Sequence, residues 1–143
     1  TYRVTDQGGL SATATVTVTV LFVNVAPVVT LQAPSVLESA NPSQTTFSPL
    51  WTSVNLGPNA AVLQLQSASV TVVSDPSGVF CTPAPSLSLA GVLTYTLRQL
   101  AFGTATISVT VRNNGGTANG GQDTSVTQTT FTVLPVNQAP SFT

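Results

Sequence analysis

The sequence predicts an all-β fold, and three observations carry the prediction. Ser11 to Val20 reads S-A-T-A-T-V-T-V-T-V, a period-two alternation rich in the β-branched residues that favour pleated strands. No stretch of the 143 residues shows a helical period. Clusters of Gly, Pro, Asn and Asp punctuate the alternating runs at short intervals, as turns between strands require.

Taken in order, Tyr2 to Thr5 and Ser11 to Val20 form two strands joined by the turn Asp6-Gln7-Gly8-Gly9. Further alternating strands are expected at Ser69 to Val73, Val92 to Leu97, Thr104 to Val111 and Ser125 to Val133. Weaker patterns place strands at Val28 to Gln32, Thr45 to Val54, Ala61 to Gln66 and Val79 to Cys81. Turns fall at Asn41-Pro42, Gly57-Pro58-Asn59, Asp75-Pro76-Ser77-Gly78 and Pro83-Ala84-Pro85. Seven to nine short strands over roughly 110 residues, with no helix, indicate an immunoglobulin-like β-sandwich. Trp51, the single Trp, is expected between its sheets.

A second pattern sets the domain organisation. Leu21-Phe22-Val23-Asn24-Val25-Ala26-Pro27 recurs 113 residues later as Leu134-Pro135-Val136-Asn137-Gln138-Ala139-Pro140. Thr17-Val18-Thr19-Val20 matches Thr130-Phe131-Thr132-Val133 at the same offset, and Asp6-Gln7-Gly8-Gly9 resembles Asn113-Asn114-Gly115-Gly116 after a six-residue slip. The chain is therefore expected to sample a tandem repeat. Residues 1–25 would be the C-terminal hairpin of a preceding repeat, residues 26–138 one complete sandwich, and residues 139–143 the start of the next. The interdomain linkers would be Asn24, Ala26 and Pro27 in one copy and Asn137, Ala139 and Pro140 in the other. An isolated hairpin is marginal in water, so residues 1–25 should complete their own repeat or pair with a neighbour's open edge.

Composition narrows the class of function. Only 5% of residues are charged, Lys and His are absent, and the net charge is -1, so no basic surface awaits nucleic acid. No apolar run approaches the roughly 20 residues of a membrane span, and neither a span nor a signal peptide is expected. A surface of Thr, Ser, Gln and Asn suits an extracellular or cell-surface protein and offers acceptors for O-glycans. N-glycans are not expected, because Asn41-Pro42-Ser43 carries the forbidden Pro and no other Asn has Ser or Thr two residues on.

Around Gly91 to Thr96, Phe102 to Thr106, Asn114 to Gly121, Asp123-Thr124-Ser125, Phe131 and Val136 to Pro140, the chain resembles the cadherin-like or bacterial immunoglobulin-like tandem repeats of giant surface proteins. The resemblance covers the second half of the complete unit and, in part, residues 1–27. It implies long extracellular chains of sandwich domains acting as adhesins, stalks or fibres, often stiffened by calcium. The chain departs from that pattern where calcium would bind. The Asp of the family's Asn-Asp-Ala-Pro linker is Val25 in one copy and Gln138 in the other, and the Asp before Asn-Gly-Gly is Asn113.

Catalytic chemistry has little to work with. Without His, neither a Ser-His-Asp nor a Cys-His arrangement can be assembled, and no enzymatic activity is expected. Calcium needs six to eight oxygens, and the four carboxylates are Asp6, Glu38, Asp75 and Asp123. Asp6 and Asp123 are the weak calcium candidates, with turn-stabilising hydrogen bonds as their ordinary role, and no cofactor is expected. Cys81 is alone, either a buried small residue or half of an intermolecular disulfide. Asn114 to Gly121 superficially resembles a phosphate loop but lacks Lys and a following helix, so it reads as a hairpin loop with glycines at positive φ. Phe22 and Phe142 flank the linkers and are candidates for packing between domains.

The expected function is non-catalytic. This would be a repeat of a large extracellular protein that forms a stalk, fibre or filament by head-to-tail stacking, with neighbouring repeats and other copies in the fibre as partners. The alternative is an adhesin module that grips carbohydrate or protein through loops around Asn41, Asp75 or Asn119.

Overall fold

The longest alternating runs become the longest strands, and their apolar positions set the layers. A computed structural model of the chain describes residues 1–58 and 60–137. Two eleven-residue strands, β10 (Gly103–Asn113) and β11 (Thr124–Leu134), pair antiparallel from Gly103↔Val133 to Arg112↔Thr124. On the far side of β10 lies β7 (Leu65–Ser74), and on the far side of β11 lies the short parallel strand β4 (Ser35–Leu37). The result is a four-stranded sheet in the order β4-β11-β10-β7.

A second set of strands comes from β3 (Val28–Leu31), β5 (Gln44–Phe47), β6 (Trp51–Asn55), β8 (Ser86–Leu87) and β9 (Leu93–Thr96). β3 pairs with β6, and β9 lies between β5 and β8. β5 and β6 are successive parts of one run, so the two small sheets are joined through the chain. The sequence pattern from Thr45 to Val54 predicts a single strand there. Pro49 has no N–H to give a ladder, and Ser48-Pro49-Leu50 splits the run while Leu50 turns fully into the core.

All these strands face one core, and the packing is sandwich-like. On β10, Ala105, Ile107, Val109 and Val111 alternate inward, as period two requires. They meet Val29, Trp51, Leu93 and Tyr95 from the second set of strands, with Phe131 and Val133 of β11. Phe131 is wholly buried, its ring centroid 4.9 Å from both Phe80 and Tyr95. Trp51 is buried against Gly91, where φ is 81° and a Cβ would lie 2.8 Å from the indole Cε2. Only glycine meets both demands at that turn.

Several strand boundaries differ from expectation for non-local reasons. Ala61 to Gln66 and Ser69 to Val73 merge into β7, because β10 offers a partner along the whole length. Val79 to Cys81 shrinks to a single bridge, Phe80↔Leu97. β4 and β8 were not signalled by the sequence. Their pairing partners, rather than their own patterns, define them.

At the N-terminus, β1 (Tyr2–Thr5) and β2 (Ser11–Ala14) form a hairpin whose residues are all exposed. The expected strand from Ser11 to Val20 therefore stops at Ala14. Its ladder reaches Tyr2↔Ala14 and the partner then runs out, with only a 3.3 Å contact between the Thr1 and Thr15 hydroxyls beyond. The matching positions one repeat later form β11, which has β10 and β4 to pair with.

Among the described residues there is no α-helix, and no helix is long and apolar enough to cross a membrane. The buried Thr96 hydroxyl has no hydrogen-bond partner. Removing an unpaired buried hydroxyl while keeping the shape is favourable. Thr96→Val is therefore expected to stabilise the fold by about 1 kcal/mol, seen as a rise in the urea midpoint.

Candidate interdomain junction

The first tie between the N-terminal segment and the sandwich is made at the linker. Asn24 lies at the end of the sandwich where β10 turns into β11, and it is 3% exposed. Its Nδ2 donates to Asn113 Oδ1 at 2.7 Å, to Gln122 O at 2.8 Å and to Gly116 O at 3.0 Å. In return, Asn113 Nδ2 donates to Asn24 Oδ1 at 3.3 Å and to Val25 O at 3.1 Å. The Gln122 N–H donates to Asn24 O at 2.9 Å. Further along the linker, Asn119 Nδ2 donates to Phe22 O at 3.0 Å, and Ser125 Oγ donates to Pro27 O. A carboxamide suits position 24 because it offers donors and an acceptor without charge, so it can be buried fully paired.

The β10–β11 loop is shaped to receive this side chain. A Cβ on Gly115 would overlap the Asn24 carboxamide, and one on Gly121 would lie 2.8 Å from the Asn24 nitrogen. Gly116 and Gly120 serve differently, with φ of 70° and 82° and open space around them. The sequence reading of the loop captures the second pair only. Asn113 and Asn119 were missed as linker-binding residues. The available signal was an Asn recurring in both linker copies beside a loop rich in Asn and Gly.

Ala26 is half-buried and Pro27 fully buried at this junction. Asn137, the counterpart of Asn24, is exposed. Gln138, Ala139, Pro140 and Phe142, together with the proposed start of a next repeat at 139–143 and Asn59 of the predicted turn, lie outside the described residues.

Each of the four carboxylates has donors close by. Asp6 Oδ1 accepts from Leu10 N at 2.9 Å within the hairpin turn. Asp75 caps its turn through Val79 N at 2.8 Å and Phe80 N at 3.0 Å. Glu38 Oε1 accepts from Val136 N at 3.0 Å. Asp123 accepts from Thr124 Oγ1 at 2.8 Å and pairs with Arg112 Nε at 2.8 Å. Asp6 and Asp123 sit on different elements, and among the described residues no three His, Cys, Asp or Glu side chains come together. Cys81 is half-buried, its Sγ 3.4 Å from Leu97 O, beside a shallow hollow that Val72, Pro85 and Arg98 also line.

The Thr124 hydroxyl, then the Arg112 guanidinium, hold the Asp123 carboxyl below its ordinary value of 3.8. A carboxyl lowered by folding contributes stability above its unfolded pKa, and that stability is lost as pH falls through the folded value. Asp123→Asn is thus expected to flatten the acid limb of the stability curve between about pH 6 and about pH 2, measured by urea midpoints.

No known protein family, curated protein or solved structure matches this chain.

Proposed function

We propose that this chain is a non-catalytic structural repeat of a large extracellular surface protein, an immunoglobulin-like sandwich that stacks head to tail into a stalk or fibre. The observation that carries the reading is Asn24. A linker residue repeated 113 residues later at Asn137 is buried in the end of the sandwich that follows it, so each linker is built into its downstream unit. The strand order adds support. A sheet β4-β11-β10-β7 opposed by β3, β6, β5, β9 and β8, with β4 parallel to β11, matches an immunoglobulin-like arrangement of two sheets.

In this reading the junction is held by neutral amides. Asn113 stands where the resembling repeats carry Asp, and it donates as well as accepts, which a carboxylate cannot do. Calcium is therefore not the element that stiffens it. The adhesin alternative draws less support, because Asn119 and Asp75 of its candidate loops are engaged within the molecule.

Electron microscopy of native, full-length material with and without a calcium chelator tests the reading. The expected result is a polymer with a regular axial repeat that survives chelation. Flexible strands ending in a distinct tip would overturn it in favour of a spacer within an adhesin. For the chain itself, chelator and millimolar calcium are expected to leave the thermal midpoint unchanged, as calorimetry can check.

A further inference from the structure

We infer that the downstream end of this sandwich, around Leu37, Leu100, Phe102 and Leu134, packs against the upstream end of the following repeat, around the positions of Val25 and Val28. The inference rests on the tandem-repeat reading above and names the surface that closes each junction.

The four residues of the downstream end are neighbours through the backbone. Leu37 pairs with Leu134, and Glu38 N donates to Leu134 O at 2.9 Å. The β10–β11 register places Phe102 opposite Leu134, one step beyond Gly103↔Val133. Leu100 N donates to Ser39 O at 3.0 Å, which brings the 98–101 turn to the same end. All four side chains are substantially exposed, Leu37 at 62% and Phe102 at 56%. Single exposed apolar residues are ordinary, but a group of four where the chain leaves a domain marks a contact surface. Leu100 adds an independent sign. Its φ is 54°, a left-handed conformation that bulky side chains rarely adopt, and the strain presents a leucine to solvent rather than to the core.

At the opposite end, Val25, Ala26, Val28, Asn55, Gly57 and Pro58 line a shallow, mostly apolar depression beside the linker. Val25 and Val28 are 49% and 60% exposed there. Charge does not oppose the match. At the downstream end the Glu38 carboxylate is held by Val136 N, and the Arg98 guanidinium packs over Gly78.

The linker length forces the two surfaces together. Leu134 lies in the downstream patch, and Asn137 occupies the repeat position that Asn24 fills when it is anchored beside the depression. Three residue steps separate them, a reach of at most about 11 Å. If Asn137 anchors as Asn24 does, the following depression stands within side-chain contact of Leu134 and Phe102. The occupant is thus the next repeat of the same chain.

The test uses the full chain continued after Pro140 by a second copy of residues 28–137, giving two joined units, studied by small-angle X-ray scattering. The expected result is a single stiff rod, with the Phe102→Ser/Leu134→Ser pair broadening the distribution of interdomain angles. Leu100→Gly is the second variant, since it relieves the left-handed backbone. It should raise the thermal midpoint of the 143-residue chain while loosening the two-unit rod. Free bending of the unsubstituted two-unit chain, or a rod that keeps its profile in both variants, would overturn the inference. Either outcome leaves the structural-repeat reading standing, because that reading fails only if native material lacks a regular axial repeat.

Discussion

Phe131→Ala is expected to cost about 4 kcal/mol of folding stability, enough to leave a marginal domain partly unfolded at room temperature. Phe131 has no exposed surface, and its ring lies 4.9 Å from Phe80 and 4.9 Å from Tyr95, so truncation opens a void lined by two aromatic rings. Those rings come from different parts of the chain and cannot collapse together without moving β9. Phe131→Leu keeps most of the volume and should cost about 1 kcal/mol. Urea unfolding followed by Trp51 fluorescence reads both, and near-equal midpoints for the two variants would show that Phe131 does not centre the core. Val18, its counterpart 113 residues earlier, is 78% exposed, so Val18→Ala should leave the midpoint where it was.

Asn24→Ala is expected to cost about 3 kcal/mol, because it strands several buried groups at once. Asn113 Oδ1, Gly116 O and Gln122 O lose their donor, and Asn113 Nδ2 loses an acceptor. Asn24→Asp separates this account from simple loss of packing. The shape is retained, but an oxygen replaces the donor and faces three acceptors inside a nearly closed site. Both burial and those oxygens favour the protonated acid in the folded state, which raises its pKa there. A carboxyl raised on folding stabilises below its unfolded pKa, and that stability is lost as pH rises through the folded value. The deficit of Asn24→Asp relative to the unsubstituted chain should therefore be larger at about pH 7 than at about pH 3.5. A deficit that is constant with pH, measured by denaturant midpoints, would mean that the donors of Asn24 do not hold the linker.

The contrast between Val18 and Phe131 shows what the sequence made legible. Alternation located both as inward-facing strand positions, and it found β10 and β11 almost to the residue. It could not say which run had a partner. Ser11 to Val20 has the cleanest alternation in the chain, yet only Ser11–Ala14 is a strand, because pairing is a property of two segments. β4 fails in the opposite sense. Ser35-Val36-Leu37 is too short to carry a pattern, and its place beside β11 is fixed across nearly a hundred residues.

The junction was half visible for the same reason. Repetition singled out Asn24, Ala26 and Pro27, and the glycines of the loop were read as backbone punctuation. That Gly115 and Gly121 make room for Asn24 depends on contacts about ninety residues apart, which no local rule supplies. Asn113 was noted only for the acid it lacks. Its working property, donating and accepting at once, emerges when its neighbours are in place.

The parallel pairing of β4 with β11 has a mechanical consequence. Tension along a fibre pulls the linker at Asn24 one way and the segment after Leu134 the other way. β4 follows the first pull and β11 the second, so the pairs Thr132↔Ser35, Val133↔Val36 and Leu134↔Leu37 slide against one another along the strand axis. Bonds loaded side by side in this manner share the force, whereas a hairpin pulled open from one end breaks them in turn. A strand of three residues is then a clamp, placed across the line of load.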